Sequence, residues 1–93
     1  TAARALCHLV AAVRALPRTR LLELTDDYLH ATQRSRVLGF VDDLECWLPP
    51  GSGVIHVRSA ARAGYYDFGV NRRRVERLRA AFGARSREGA GCD

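Results

Sequence analysis

Residues 20–34, RLLELTDDYLHATQR, and residues 39–59, GFVDDLECWLPPGSGVIHVRS, hold the alternation that decides the fold. Apolar and polar residues exchange every second position over short runs, interrupted by Asp26-Asp27, by Ser35 to Leu38 and by Pro49 to Ser52. That is the pattern of half-buried strands joined by turns. Strands are predicted over residues 20–25, 28–34, 39–48 and 53–59, and connections this short make them an antiparallel meander. Pairing Thr25 with Tyr28, Arg34 with Gly39 and Leu48 with Gly53 puts Leu22, Leu24, Leu29, Ala31, Phe40, Leu44, Cys46, Ile55 and Val57 on one face, which is the expected core side. The other face carries Glu23, His30, Asp43 and Arg58 in one row and Thr25, Tyr28, Glu45 and His56 in the next, with opposite charges side by side. Asp42 breaks the pattern. The same register turns it toward the core between Ala31 and Ser59, where a carboxylate requires a partner.

Upstream, Leu6, Leu9, Val10, Val13 and Leu16 recur at the spacing of an amphipathic helix over residues 2–16, which Pro17 stops. The polar side of that helix has only Arg4, His8 and Arg14, so packing on the sheet is expected rather than a seat on a membrane surface. Downstream, a second helix is predicted with Asn71 as N-cap and Val70 and Val75 as its staple. Val75, Leu78 and Phe82 form its buried stripe, Arg72, Arg73, Arg77 and Arg79 its outer side, and Gly83 its end. The expected architecture is an α+β domain of order α-β-β-β-β-α over residues 1–83, both helices on one face of a four-stranded antiparallel meander, with residues 84–93 a flexible tail.

Composition narrows the function without choosing it. Ninety-three residues support one domain and one modest core. The net charge of +5 raises nucleic acid as a partner, but all fifteen basic residues are arginine in an alanine-rich chain, which dilutes that signal, and nucleic acid is disfavoured. No apolar run approaches the roughly 20 residues of a membrane span, so any membrane association is expected through partners. The sequence starts at Thr1, and a leader before it is compatible with the composition. Cys7, Cys46 and Cys92 are an odd number without a Cys-x-x-Cys pair, too sparse for a disulfide framework, and a buried thiol is expected at Cys46. Neither a metal nor a cofactor is expected, because the Cys and His residues lack the short spacings of zinc sites.

Phe40-Val41-Asp42-Asp43, taken with Val57-Arg58-Ser59, Arg62, Gly64-Tyr65 and Asp67-Phe68-Gly69-Val70-Asn71-Arg72, resembles the domain of unknown function 1499 family. The resemblance covers about residues 25–82 and is most specific in its last third. Members tend to carry an Arg-Ser-x-Ser-Arg-x-Gly-Tyr-x-Asp-x-Gly-x-Asn-x-Arg run after a Phe-x-Asp-Asp strand. This chain has Ala61 at the usual second serine, Tyr66 at a commonly small position, and no upstream segment containing cysteine and asparagine. The family occurs in bacteria and in photosynthetic lineages, plastids included, and has no established activity. The resemblance therefore implies a fold and a setting, a plastid thylakoid complex such as a photosystem, and not a reaction.

Three chemical readings compete at these residues. His30 between carboxylates, with Glu23, Asp43 and Arg58, could act as a general base beside an anion clamp, but the register places no nucleophile next to it. Gly64 and Gly69 before a helix could cradle phosphate, but the loop lacks a Gly-Lys-Ser/Thr ending, and positive φ at both glycines with Tyr65 and Phe68 plugging the core is the favoured account. Asp42, Asp67, Gly69, Asn71 and Arg74, together with Arg58 and Arg62, read best as a network joining sheet to helix. Trp47, on the polar face with Val54, is either a rim residue packed on its neighbours or, the reading adopted, an exposed anchor for another protein. The favoured function is thus a non-enzymatic interaction domain docked to a larger assembly. Its contact candidates are Asp43, Trp47, Arg58, Arg62, Tyr65 and Arg72, and the competing reading is a small-anion or lipid-headgroup module using the arginines among them.

Overall fold

A computed structural model describes residues 2–35, 39–62, 70–88 and 92. Its elements run α1 (Ala2–Arg14), β1 (Thr19–Leu24), β2 (Tyr28–Arg34), β3 (Val41–Trp47), β4 (His56–Ala61) and α2 (Val70–Glu88). The strands form one antiparallel sheet in the order β1-β2-β3-β4. This is the expected α-β-β-β-β-α architecture. Both helices lie on one face: Leu9, Ala12, Val13 and Leu16 of the first segment and Leu78 of α2 close over Leu29, Ala31, Leu44 and Cys46. α2 lies along β4, and α1 rests against α2 and beside β1.

The register differs from the expectation by an even step. Arg34 pairs with Val41 and Trp47 with His56, each ladder displaced by two residues from the tightest closure. At β2–β3 the loop closes through Ser35, whose amide donates to the Phe40 carbonyl and whose Oγ accepts from the Phe40 amide. At β3–β4 the ladder stops at Trp47 because Pro49 and Pro50 have no amide hydrogen to donate. Pro49 to Ser52 instead make a turn closed by Ser52 N–H to Pro49 O, 3.1 Å, with Gly51 supplying the positive φ of a type II turn at its third position. An even displacement keeps every side chain on its face but changes its neighbours across the sheet. Asp42 accordingly sits on the core face between Gln33 and Ala61, not between Ala31 and Ser59.

Four residues expected in the core are largely exposed: Leu22, Leu24, Phe40 and Val57. A β-bulge between Leu21 and Glu23 inserts one residue, so Leu21 takes the position opposite Ala31 and packs on the core while Leu22 is displaced. Leu24 ends the edge strand β1, which has a sheet neighbour on one side only. Phe40 precedes β3 and is outside the ladder. Val57 faces an apolar groove of about 600 Å³ between β4 and the two helices, which Val54, Val75 and Phe82 also line.

The C-terminal third departs from the expected pattern in three places. Asn71 is the second residue of α2 and not its cap, since its side chain is turned into a buried network described below. The helix continues through Gly83 to Glu88, because a single glycine inside a run of good helix formers costs only about 1 kcal/mol. Residues beyond 83 are also not a free tail in their described part: Cys92 is buried and disulfide-bonded to Cys7 on α1, 85 positions away in sequence. Two of three widely spaced cysteines met because both helices pack side by side, which spacing alone does not reveal. Cys46 is a free, buried thiol, as expected, and burial pushes its pKa up to about 12.

Candidate functional site

The outer face of the sheet is a ladder of paired charges. Strand alternation turns Tyr28, His30 and Thr32 of β2, Asp43, Glu45 and Trp47 of β3, and His56 and Arg58 of β4 to this side. Glu23, His30, Glu45 and Arg58 form one row, so the partner of His30 across β3 is Glu45 rather than Asp43. The side chain nevertheless leans diagonally, and His30 Nε2 lies 2.8 Å from Asp43 Oδ1. Arg62, just beyond β4, clamps the same carboxylate with two bonds, Nε to Oδ2 at 3.1 Å and Nη2 to Oδ1 at 2.7 Å. Glu45 accepts from the Tyr28 hydroxyl at 2.9 Å and from Arg58 at 3.1 Å.

The electrostatics follow from that pairing. Arg62 hydrogen bonding, against partial desolvation and with help from His30, lowers the Asp43 carboxyl to about 2. Desolvation, and then the hydrogen bond to Glu45, raises the Tyr28 phenol to about 12. Asp43 therefore stays ionised and Tyr28 stays protonated across the physiological range. Groups held so far from neutrality are suited to binding and positioning and poorly suited to exchanging protons with a substrate. Among the described residues, no group of three His, Cys, Asp or Glu side chains could hold a metal ion, and no helix is long and apolar enough to cross a membrane.

The Asp43 cluster has a pH signature. A carboxyl depressed in the folded state contributes stability that is complete above its ordinary value near 4 and lost as pH falls through 2. Because Arg62 is about half exposed, solvent screening holds the contribution to about 1 kcal/mol. Urea denaturation of Asp43→Asn should show that deficit at pH 6 and a smaller one at pH 2.5. A deficit independent of pH would contradict this account.

On the inner face a second network joins β2, β3, β4 and α2. Arg74 is buried, 6% exposed, and its guanidinium is engaged on every side. Nη2 donates to Asp42 Oδ2 at 2.7 Å, Nη1 to Ser59 Oγ at 2.8 Å and to Asn71 Oδ1, and Nε to Gln33 Oε1. Ser59 Oγ in turn donates to Asn71 Oδ1 at 2.6 Å, and Gln33 Nε2 to the Pro17 carbonyl at 2.7 Å. The structure thus brings Asp42, Asn71 and Arg74 together and adds Gln33 and Ser59. Alternation along β2 turns Gln33 to the core face, and that is the local signal in the sequence for its place in this network. Arg58 and Arg62 take no part in this network, being bound to Glu45 and Asp43. Arg72 is exposed in the first turn of α2. Tyr65, Asp67 and Gly69 lie outside the described residues, as do Gly64 and Phe68.

Trp47 is 49% exposed at the end of β3, between Tyr28 and His56, with its ring tilted over the His56 imidazole at a centroid distance of 5.7 Å. Val54 lines the apolar groove on the helical side. Comparison with curated proteins and with solved structures finds no match. The resemblance in the strand and loop residues extends further than those residues alone, to the N-terminal helix. The chain belongs to the family described as protein of unknown function DUF1499, whose model matches residues 1–82.

Proposed function

We infer that this domain is a non-enzymatic accessory module that docks onto a protein subunit of a larger assembly through the Trp47 end of its outer sheet face. The observation that carries the reading is Trp47 itself. The only tryptophan of the chain stands half in water on a face where Asp43 and Glu45 are already paired with His30, Arg62, Tyr28 and Arg58. No contact among the described residues requires an indole there, whereas a half-exposed indole flanked by Tyr28 and His56 has the composition of an interface hot spot. The polar row beside it, with Asp43, Arg58 and Arg62, supplies the charged rim.

Two further observations support this reading. Asp43 is ionised well below neutrality and Tyr28 protonated well above it, which argues against acid–base turnover on this face. The Cys7–Cys92 cross-link favours an oxidising compartment, where such bonds persist. A photosystem or another plastid membrane complex is the host that the family resemblance suggests. The competing module built on Arg58, Arg62 and Arg72 has less support, since the first two arginines are already committed to Glu45 and Asp43.

Replacing Trp47 with alanine should change stability by no more than about 1 kcal/mol, because half of the side chain is solvated already. It should weaken partner binding by at least about thirtyfold, the scale of a hot-spot residue. Native gels of source membranes carrying either form provide the readout. Wild-type protein migrating as a free monomer would sink the proposal.

A further inference from the structure

The antiparallel meander gathers the start of β1, the end of β2, the start of β3 and the exit from β4 at one end of the sheet, beneath the C-terminus of α1. Five arginines line the cleft formed there: Arg14, Arg18, Arg20, Arg34 and Arg62. Its volume is about 770 Å³, within the roughly 300–1,000 Å³ of small-molecule sites. Among the described residues, Arg14, Arg18, Arg20 and Arg34 have no carboxylate within ion-pair distance. The opposing charges are Asp43, which Arg62 spans, and the end of the α1 dipole, about half an elementary charge beside Arg14. Among the described residues, roughly three positive charges are left unmatched across one concave surface.

Arg18 sharpens the case. Its φ is 53°, a left-handed conformation that glycine adopts easily and a residue with a β-carbon does not. In that conformation its carbonyl accepts from the Arg34 amide at 3.0 Å and its Nε donates to the Arg34 carbonyl at 3.0 Å. The guanidinium is thereby held at the cleft, with its terminal amino groups unengaged among the described residues. A non-glycine residue in strained backbone, with its charge fixed beside three unpaired arginines, is the kind of outlier that points to a ligand. An arginine-rich surface alone explains the exposed arginines on the outer side of α2 but not this one.

We propose that the cleft binds a small polyanion carrying at least two phosphoryl groups, free or as the headgroup of a phosphorylated lipid, with its oxygens held by Arg18, Arg20 and Arg34. Planar guanidinium forks match phosphoryl oxygens two at a time. Thr32 and Ser35 add hydroxyls to the wall, and among the described residues no aromatic side chain lines it, so these residues offer no stacking platform of the kind that single-stranded nucleic acid uses. The site is separate from the docking end, since Trp47 closes the opposite end of β3, and either reading can fail without the other.

Calorimetric titration of the full chain with inorganic pyrophosphate at low ionic strength tests the proposal. In parallel, the chain is mixed with phosphatidylcholine vesicles containing either a bisphosphorylated inositol lipid or phosphatidylserine at matched charge. Arg18→Gly should weaken the interaction at least about tenfold, the effect of losing one charge-assisted contact, while holding or raising the melting temperature, because glycine relieves the strained φ. Arg77→Ala on the outer side of α2 should leave binding unchanged. Arg18-dependent binding of pyrophosphate supports a free ligand, and Arg18-dependent binding of the bisphosphorylated vesicles alone supports a lipid headgroup. The proposal is overturned by no binding to either, by equal binding to phosphatidylserine vesicles, by equal weakening in Arg77→Ala, or by tighter binding of a single-stranded oligonucleotide than of pyrophosphate.

Discussion

Reduction of the Cys7–Cys92 bond is expected to lower the melting temperature by about 15–20 °C. The cross-link joins α1 to the segment beyond α2, 85 positions apart, so in the unfolded chain it closes nearly the whole sequence into one loop. Chain entropy places the ceiling for such a loop at about 4.5 kcal/mol. Delivery of about 3–4 kcal/mol of that, at about 5 °C per kcal/mol for a domain of this size, yields the stated shift. The effect is large because the core is small: the residues buried most completely are few, and both helices depend on mutual packing to stay on the sheet. Cys46 does not confuse the experiment, since its buried thiol, raised to about 12, presents almost no thiolate for exchange. Melting followed by circular dichroism with and without reductant is the measurement, and the combined Cys7→Ser and Cys92→Ser variant should match the reduced protein. Coincident melts would show that the cross-link adds nothing to helix docking.

Removal of the Arg74 side chain is expected to cost about 3–5 kcal/mol, out of a total that for 93 residues is on the order of 5–15 kcal/mol. Arg74→Ala leaves the Asp42 carboxylate on the core face without its cation, and leaves Gln33, Ser59 and Asn71 without their common donor. Each orphaned group then bears its own desolvation cost. Arg74→Lys should recover little, because a single ammonium cannot reach around the four partners that a planar guanidinium serves at once. Pairing Asp42→Leu with Arg74→Met should recover a good part of the loss, since an apolar pair of similar volume removes the buried charges altogether. Urea denaturation of the three variants decides it. A loss below about 1 kcal/mol in Arg74→Ala would mean that water replaces the guanidinium and that the joint is not sealed.

The family-specific residues divide along the same line. Asp42, Ser59 and Asn71 serve the joint between sheet and helix, while Asp43, Arg58 and Arg62 stay on the outer face. Adjacent aspartates in one strand thus have opposite fates for a simple reason, that successive side chains point to opposite faces. Asp43 meets water, His30 and Arg62. Asp42 meets Arg74.

Much of this was legible from the chain alone. Period-two alternation in residues 20–34 and 39–59 assigned the two faces, and three-and-four spacing assigned the helices, because both depend only on neighbours a few positions away. Face assignment survived a two-residue error in two ladders for the same reason. Where a local rule had an exception, the reading failed: the bulge at Leu21–Glu23 moved Leu22 out of the core, and Gly83 did not stop α2. An orphan carboxylate at Asp42 could be seen in the sequence. Its full set of partners could not, since Arg74 lies 32 positions away and the set includes Gln33 at 41 from Arg74. The Cys7–Cys92 bond and the five-arginine cleft belong to the same class. Faces and periods are written in local sequence, but which distant groups meet is decided only when the helices settle on the sheet and the free energy of burial selects one packing.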